Sequence, residues 1–260
     1  MAEIQRPGAL YQQVAAAIRE AILSGEFQPG APLPSEAQLI ERYKVSRPTV
    51  RNAIAALRAE GLIEVKHGKG SFVRSSGLPV LTVERRVSLS GTDQFTTADG
   101  ETWKIVDGPS VYRTQTTATT GPLLQLGEME ELFGCDRTLI DQATGARALH
   151  RTLIPFATAD QVPSLADSPD AEPEAIYGML AKTGHKLWWH ETVRARMPLP
   201  DERSALHIPD ATPVLHTTRT AHGLDDQALL LEELCLGADR AQLGYRITAD
   251  EDGNARTTTP

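Results

Sequence analysis

A chain of 260 residues with 40% apolar content has room for two domains of ordinary size with packed cores. No run of about 18 apolar residues occurs, which excludes a helical membrane span. Gln, Arg and Glu interrupt the N-terminal stretch where a signal-peptide core would lie, so a cytoplasmic location is expected. The net charge of −8 disfavours nucleic acid as a partner until it is divided. Residues 1–76 carry 10 Lys+Arg against 7 Asp+Glu, or +3, and residues 77–260 carry 16 against 27, or −11. Any contact with nucleic acid therefore belongs to the front of the chain.

From Leu10, apolar residues fall at Leu10, Val14, Ile18 and Ile22, one stripe of a first helix. Ser24-Gly25 ends it, and Pro29-Gly30, Pro32 and Pro34 mark a turn and an extended stretch. Ser35 with Gln38 three residues on has the form of a capping box, opening a second helix to Tyr43. Ser46 is an N-cap for a third helix, with Pro48 in its first turn and Val50, Ala53, Ile54 and Leu57 on its inner side. That leaves Arg47, Thr49 and Arg51 outward at the helix N-terminus. Such an end suits a DNA major groove: Arg can fork onto guanine, and Thr can meet phosphate or a thymine methyl. Gly61 closes the helix. Leu62–Val65 and Ser71–Val73 read as strands joined by His67-Gly68-Lys69-Gly70, a wing with Lys69 at its tip.

These motifs resemble the N-terminal domain of the GntR family of bacterial transcription regulators. The likeness rests on Leu33-Pro34-Ser35-Glu36, Ser46-Arg47-Pro48-Thr49-Val50-Arg51, Glu60-Gly61-Leu62-Ile63 and Gly68-Lys69-Gly70-Ser71-Phe72-Val73. It implies a winged helix-turn-helix over residues 1–74 that contacts double-stranded DNA. The contact residues it implies are Ser35, Ser46, Arg47, Thr49, Arg51, His67, Gly68 and Lys69. The family often carries an Arg two residues after the Ser-Glu pair, a position that matches Ala37 here.

Residues 75–79 read as a linker. Beyond it, Thr82–Leu89 is expected as a strand, Gly91–Pro109 as a loop, Tyr112–Thr119 as a strand and Leu123–Phe133 as a short helix. Leu139–Gln142 and Ala148–Pro155 form a hairpin. A helix lies within Ala171–Gly184, a strand at Leu187–Met197 and a helix at Pro200–Leu206. Strands Pro213–Ala221 and Ala228–Leu236 flank a turn, a last short strand follows Arg240, and residues 249–260 form a disordered tail. Hairpins mixed with helices make an α+β domain around an antiparallel sheet. Cys135 and Cys235 have no metal-ligand spacing and read as buried thiols, with a disulfide between them left open.

Residues 80–248 resemble the UTRA effector-binding domain of the HutC subfamily, whose fold is similar to chorismate lyase. The motifs are Leu153-Ile154-Pro155, Ala175-Ile176-Tyr177, Ala211-Thr212-Pro213-Val214-Leu215 with Arg219, and Asp239-Arg240. Relatives that sense an amino-sugar phosphate hold it with two Arg, a Glu, a further Glu and Tyr, and a Ser. Matched without gaps, those positions are Thr138, Ile140, His150, Leu230, Leu236 and Ala175. A pocket without those guanidiniums loses its bidentate grip on an anion, so a larger, less charged effector is expected, not a sugar phosphate. The candidate effector contacts are His150, Arg151, Tyr177, Trp189, His190, Arg194 and Arg196. No metal site or cofactor is expected.

The expected function is a homodimeric repressor, released from a pseudo-palindromic operator by a small molecule. One alternative is a constitutive repressor whose rear domain only dimerises. The other is a lyase-like enzyme, for which no nucleophile–base pair is evident.

Overall fold

The computed structural model describes residues 9–66, 68–74, 80–91, 93–97, 103–209 and 211–247. The expected linker and tail, and His67, lie outside the described residues.

The front domain is a three-helix unit with a two-stranded wing. Helix α1 (Leu10–Leu23) buries Val14, Ala15, Ile18 and Ala21, the face its stripe predicts. Helix α2 (Glu36–Tyr43) starts at the Ser35 cap, whose hydroxyl accepts from the Gln38 N–H while the Gln38 side chain accepts from the Ser35 N–H. Lys44 takes the left-handed conformation at φ 52° and turns the chain at once into α3 (Arg47–Ala59). Val50, Ala53 and Leu57 of α3 are fully buried against Ile18 and Leu39. Gly61, at φ 74°, then reverses the chain into β1 (Ile63–Lys66), which pairs antiparallel with β2 (Gly70–Val73). Val73 and Leu33 fasten the wing to the helical core.

The rear domain is built on a six-stranded antiparallel sheet. Its members in chain order are β6 (Trp103–Gln115), β7 (Glu131–Asp141), β8 (Arg147–Pro155), β9 (Trp188–Arg196), β10 (Val214–His222) and β11 (Ala228–Gly237), arranged β6-β7-β8-β11-β10-β9. The register sets Arg137 opposite His150, Thr152 opposite Glu232, Glu232 opposite Arg219, and Arg219 opposite Glu191. One face of the sheet carries α7 (Pro173–Lys182), which buries Ile176, Tyr177 and Leu180 against Ile154, Ala221 and Leu230. On the same side lie two small sheets. Strand β3 (Leu81–Glu84) pairs in parallel with β12 (Ala241–Gly244), and β4 (Val87–Ser90) pairs antiparallel with β5 (Gln94–Thr97). The other face carries α8 (Pro200–Leu206), where Leu206 packs on Val214 and Cys235.

Four expectations change here. The strand expected at Thr82–Leu89 is two strands, because β3 and β4 pair with different partners and the chain turns between them at Arg85. The stretch expected as a loop at Gly91–Pro109 contains β5 and the start of β6. Its polar, Gly- and Asp-rich composition hid a long strand whose pairing with β7 is interrupted by irregularities at Asp107. The strand expected at Tyr112–Thr119 ends at Gln115. The helix expected at Leu123–Phe133 is only α4 (Thr120–Leu123), and β7 begins at Glu131. Gln125 and Met129 take positive φ, which stops the helix after one turn. Both cysteines are buried and free, so the disulfide left open in the sequence does not form.

Leu57 has no exposed surface. Leu57→Ala should therefore destabilise the front domain by about 2–5 kcal/mol. Urea denaturation followed by helical circular dichroism measures this, and a loss under about 1 kcal/mol would place Leu57 outside a well-packed core.

Candidate DNA-binding face and effector chamber

On α3 the Ser46 hydroxyl caps the helix by accepting from the Thr49 N–H at 3.4 Å, and it also lies 2.8 Å from the Thr49 hydroxyl. Arg47 and Arg51 are about 70% exposed at the side chain, because helical spacing turns them away from Val50 and Leu57. Glu36, the first residue of α2, was not singled out in the sequence. Its two carboxylate oxygens lie 3.9 Å from Arg47 Nε and 4.0 Å from Arg51 Nε. That places the carboxylate on the Nε side of both guanidiniums and leaves their outer nitrogens toward solvent. At the wing tip, Gly68 (φ 71°) and Gly70 (φ 99°) form the turn and Lys69 is exposed. Ser35 is committed to its capping box, so it acts through α2 rather than as a free donor.

In the rear domain the structure does not bring the seven candidate effector residues together. Neighbouring residues on a strand point to opposite faces, and this separates them. His150 lies on the α7 side of the sheet. Arg151, one residue later, lies on the other face, bound to Asp136 at 2.7 and 2.9 Å. His190, Arg194 and Arg196 share that other face on β9, and Arg196 is held by Glu202 of α8 at 2.5 and 2.6 Å. Tyr177 is fully buried and its hydroxyl donates to Glu232. Trp189 packs edge-on against Tyr177 and Phe95 at 5.1 and 5.8 Å between ring centroids, so it belongs to the core under α7.

Between the sheet and the start of α7 lies a chamber of about 90 Å³, lined by Arg85, Trp103, Arg137, Leu139, His150, Glu174, Arg219, Glu232 and Leu234 among others. The expectation of a pocket without guanidiniums is corrected here. Arg137 faces inward one position before Thr138, and Arg219 and Arg85 join it. Glu232 stands two positions after Leu230, on the same face. In a strand a displacement of one residue reverses the face, so an ungapped match of positions does not fix which side chains line a chamber. The signal in the sequence was a charged residue inside an otherwise apolar strand: Arg137 in β7, Arg219 in β10 and Glu232 in β11.

Two charge groups hold guanidiniums of the chamber in place. Glu191 accepts from Arg219 Nε at 2.6 Å, from Arg85 at 2.8 and 3.1 Å, and from the Tyr245 hydroxyl at 2.7 Å. Burial alone would raise the Glu191 carboxyl, but the Arg85 and Arg219 guanidiniums hold it below the usual carboxylate range. Glu232 is likewise opposed by burial yet kept low by His150, whose Nε2 is 3.7 Å away, and by Arg219. Arg137 differs from these. It is 4% exposed, its Nη2 donates to the backbone carbonyls of Asp170 and Ala171 at 2.7 and 2.8 Å, and its Nη1 has no partner among the described residues.

A wider cleft of about 470 Å³ lies on the other face, lined by Asp136, Arg151, His216 and Glu233. Within it, Arg151 pairs with Asp136 and Glu233, and His216 lies 3.5 Å from Glu233. Burial pushes the Cys235 thiol up to about 12 and raises Cys135 as well, so neither is a ready nucleophile.

The family model described as "Bacterial regulatory proteins, gntR family" matches residues 10–73, and the UTRA domain model matches residues 148–242. The chain carries a GntR-type helix-turn-helix domain followed by a UTRA domain. Among curated relatives, the HTH-type transcriptional regulator Rv0494 of Mycobacterium tuberculosis is 49% identical over 63 residues, which is 24% of this chain and 26% of that one. The HTH-type transcriptional repressor NagR of Bacillus subtilis is 42% identical over 69 residues, 26% of this chain and 28% of its own. These matches thus span about a quarter of the relatives' length. A crystal structure of a candidate GntR-family transcriptional regulator superposes with a TM-score of 0.66 at 24% identity, covering 94% of this chain and 99% of the other. At that identity it speaks to the fold of this UTRA-type GntR protein alone. No described helix is long and apolar enough to cross a membrane.

The Glu191 cluster makes stability depend on pH. Its folded pKa lies below the ordinary 4.5, so its contribution is complete above pH 4.5 and is lost as pH falls through the lower folded value. Glu191→Gln should cost about 3–5 kcal/mol at pH 7 by leaving two buried guanidiniums short of a partner. The deficit should narrow below pH 4.5. Chemical denaturation from pH 3 to 7 tests this, and a deficit independent of pH would remove the carboxylate's charge from the account.

Proposed function

We propose that this protein is a DNA-binding transcriptional regulator, acting in the cytoplasm as a homodimeric repressor that a small-molecule effector releases from a pseudo-palindromic operator. The observation that carries the reading is the end of α3, where Arg47, Thr49 and Arg51 project beside a wing tipped by Lys69 on the basic part of the chain. A helix N-terminus of this composition can enter a major groove, and the wing can reach the adjoining backbone. Ser46, Gly68 and Lys69 supply phosphate contacts, Ser35 holds α2 in place, and His67 is assigned to the wing contact by family resemblance. Two recognition helices in a dimer would sit roughly 34 Å apart, one turn of duplex, which requires a symmetric operator.

The repressor role is supported by NagR, which is named as a repressor and is 42% identical over the matched segment. The effector role of the rear domain is supported by the chamber, where Arg137 is buried with a nitrogen left unpaired. Of the seven residues suggested by the sequence, His150 is retained as a direct effector contact, and Tyr177 acts through Glu232. Arg137 and Arg219 are added. Trp189 is assigned to packing. Arg151, His190, Arg194 and Arg196 are assigned to the sheet's other face. An enzymatic reading finds no support in two buried thiols of raised pKa.

DNA selected from a random pool by the full chain supplies the operator. Arg47→Ala and Arg51→Ala should each cost about 1–3 kcal/mol of operator affinity if they read guanine. Lys69→Ala should weaken all sequences alike and lower the salt slope by about 1. Fluorescence anisotropy measures both. Operator affinity unchanged in both arginine variants would refute this recognition face.

A further inference from the structure

Resting on the reading of α3 as the DNA reader, we propose that Glu36 is a specificity-determining residue, whose carboxylate rejects phosphate and keeps Arg47 and Arg51 for the edges of bases. The observation is one carboxylate set between two guanidiniums. Glu36 Oε2 lies 3.9 Å from Arg47 Nε, and Glu36 Oε1 lies 4.0 Å from Arg51 Nε. Among the described residues, no other carboxylate lies within ion-pair distance of either arginine. Rigid backbone puts it there. The capping box at Ser35 fixes the first turn of α2, which Glu36 opens, and Leu39 anchors that helix with no exposed surface. The left-handed turn at Lys44 and the cap at Ser46 then fix the first turn of α3, which Val50 anchors, also without exposed surface.

Stability does not explain the arrangement. The Glu36 side chain is 46% exposed and the two arginines 69% and 70%, and exposed pairs of this length contribute close to nothing. The charge tells when DNA arrives. Arginines four residues apart on a helix repel each other, and facing a duplex unaided, each would settle on a phosphate whatever the sequence. Non-specific affinity follows the number of phosphates neutralised. A carboxylate at the same corner lowers that number by repelling phosphate oxygens. Ala37, the next residue of α2, brings no cation to offset it. The carboxylate takes less from a guanine contact. In both pairs the near nitrogen is Nε, so the two Nη groups stay free to fork onto guanine O6 and N7 while the ion pair persists. A group that penalises the wrong partner more than the right one raises specificity even where it lowers affinity.

The test compares the full-length protein with Glu36→Gln and Glu36→Ala by fluorescence anisotropy. The probes are the operator selected from a random pool and a scrambled duplex of equal length and composition, over a series of salt concentrations. Both variants should bind the scrambled duplex about 3-fold or more tighter at low salt, with a salt slope steeper by up to about 0.9, the value of one further neutralised phosphate. The ratio of operator to scrambled affinity should fall by more than about twofold. A merely structural role for Glu36 would weaken both duplexes together. Scrambled-duplex affinity that does not rise, or a ratio that stays within about twofold of the unaltered protein, would overturn the proposal. Arg47→Ala and Arg51→Ala in the same assay separate the two readings. If they weaken operator binding while the Glu36 variants fail these criteria, only the role of Glu36 falls. If neither weakens it, the recognition face falls and the role of Glu36 with it.

Discussion

The rear domain depends on buried charge being answered. Glu191 sits between Arg85 and Arg219, three residues from strands or corners that are far apart in sequence, and each is at most 10% exposed at the side chain. Ionised groups this deep are tolerated only when opposite charge and hydrogen bonds replace the water they lose. Their mutual attraction fixes the register of β9 against β10 on this face. It also pins the corner between β3 and β4, which follows the linker stretch, to the sheet that forms the chamber. A single network therefore joins the wall of the binding chamber to the first segment of the rear domain.

The front domain works by a different balance. Its core is small and wholly apolar, and its charges lie outside. The cap at Ser46 and the left-handed turn at Lys44 set the start of α3, and that start decides which side chains project. Glu36 then adds a local correction. An exposed carboxylate 4 Å from two arginines contributes little to stability, but it reduces the positive charge that phosphates meet and occupies the Nε side of both guanidiniums. The face is thereby better suited to base edges than to backbone alone.

The overall charge of −8 conceals this division of labour. The acidic rear domain buries Arg85, Arg137 and Arg219, while the front domain displays Arg47 and Arg51. The rear domain's surplus of carboxylates is no obstacle to the front domain's contact with DNA, because screening confines surface fields to roughly 8–10 Å at physiological salt.

The sequence by itself determined the front domain almost to the residue. Its helices are amphipathic, its caps are local, and its described turns other than the one at Lys44 carry glycine where φ is positive, so short-range rules suffice. It also determined the α+β character of the rear domain and the helices α7 and α8, for the same reason. The tertiary structure alone decided the chamber. Arg85, Glu191, Arg219 and Glu232 meet through strand order β6-β7-β8-β11-β10-β9, which no local pattern announces. Which face Arg137 or Arg151 occupies depends on a register that shifts by a single residue, and only the pairing of whole strands fixes that parity.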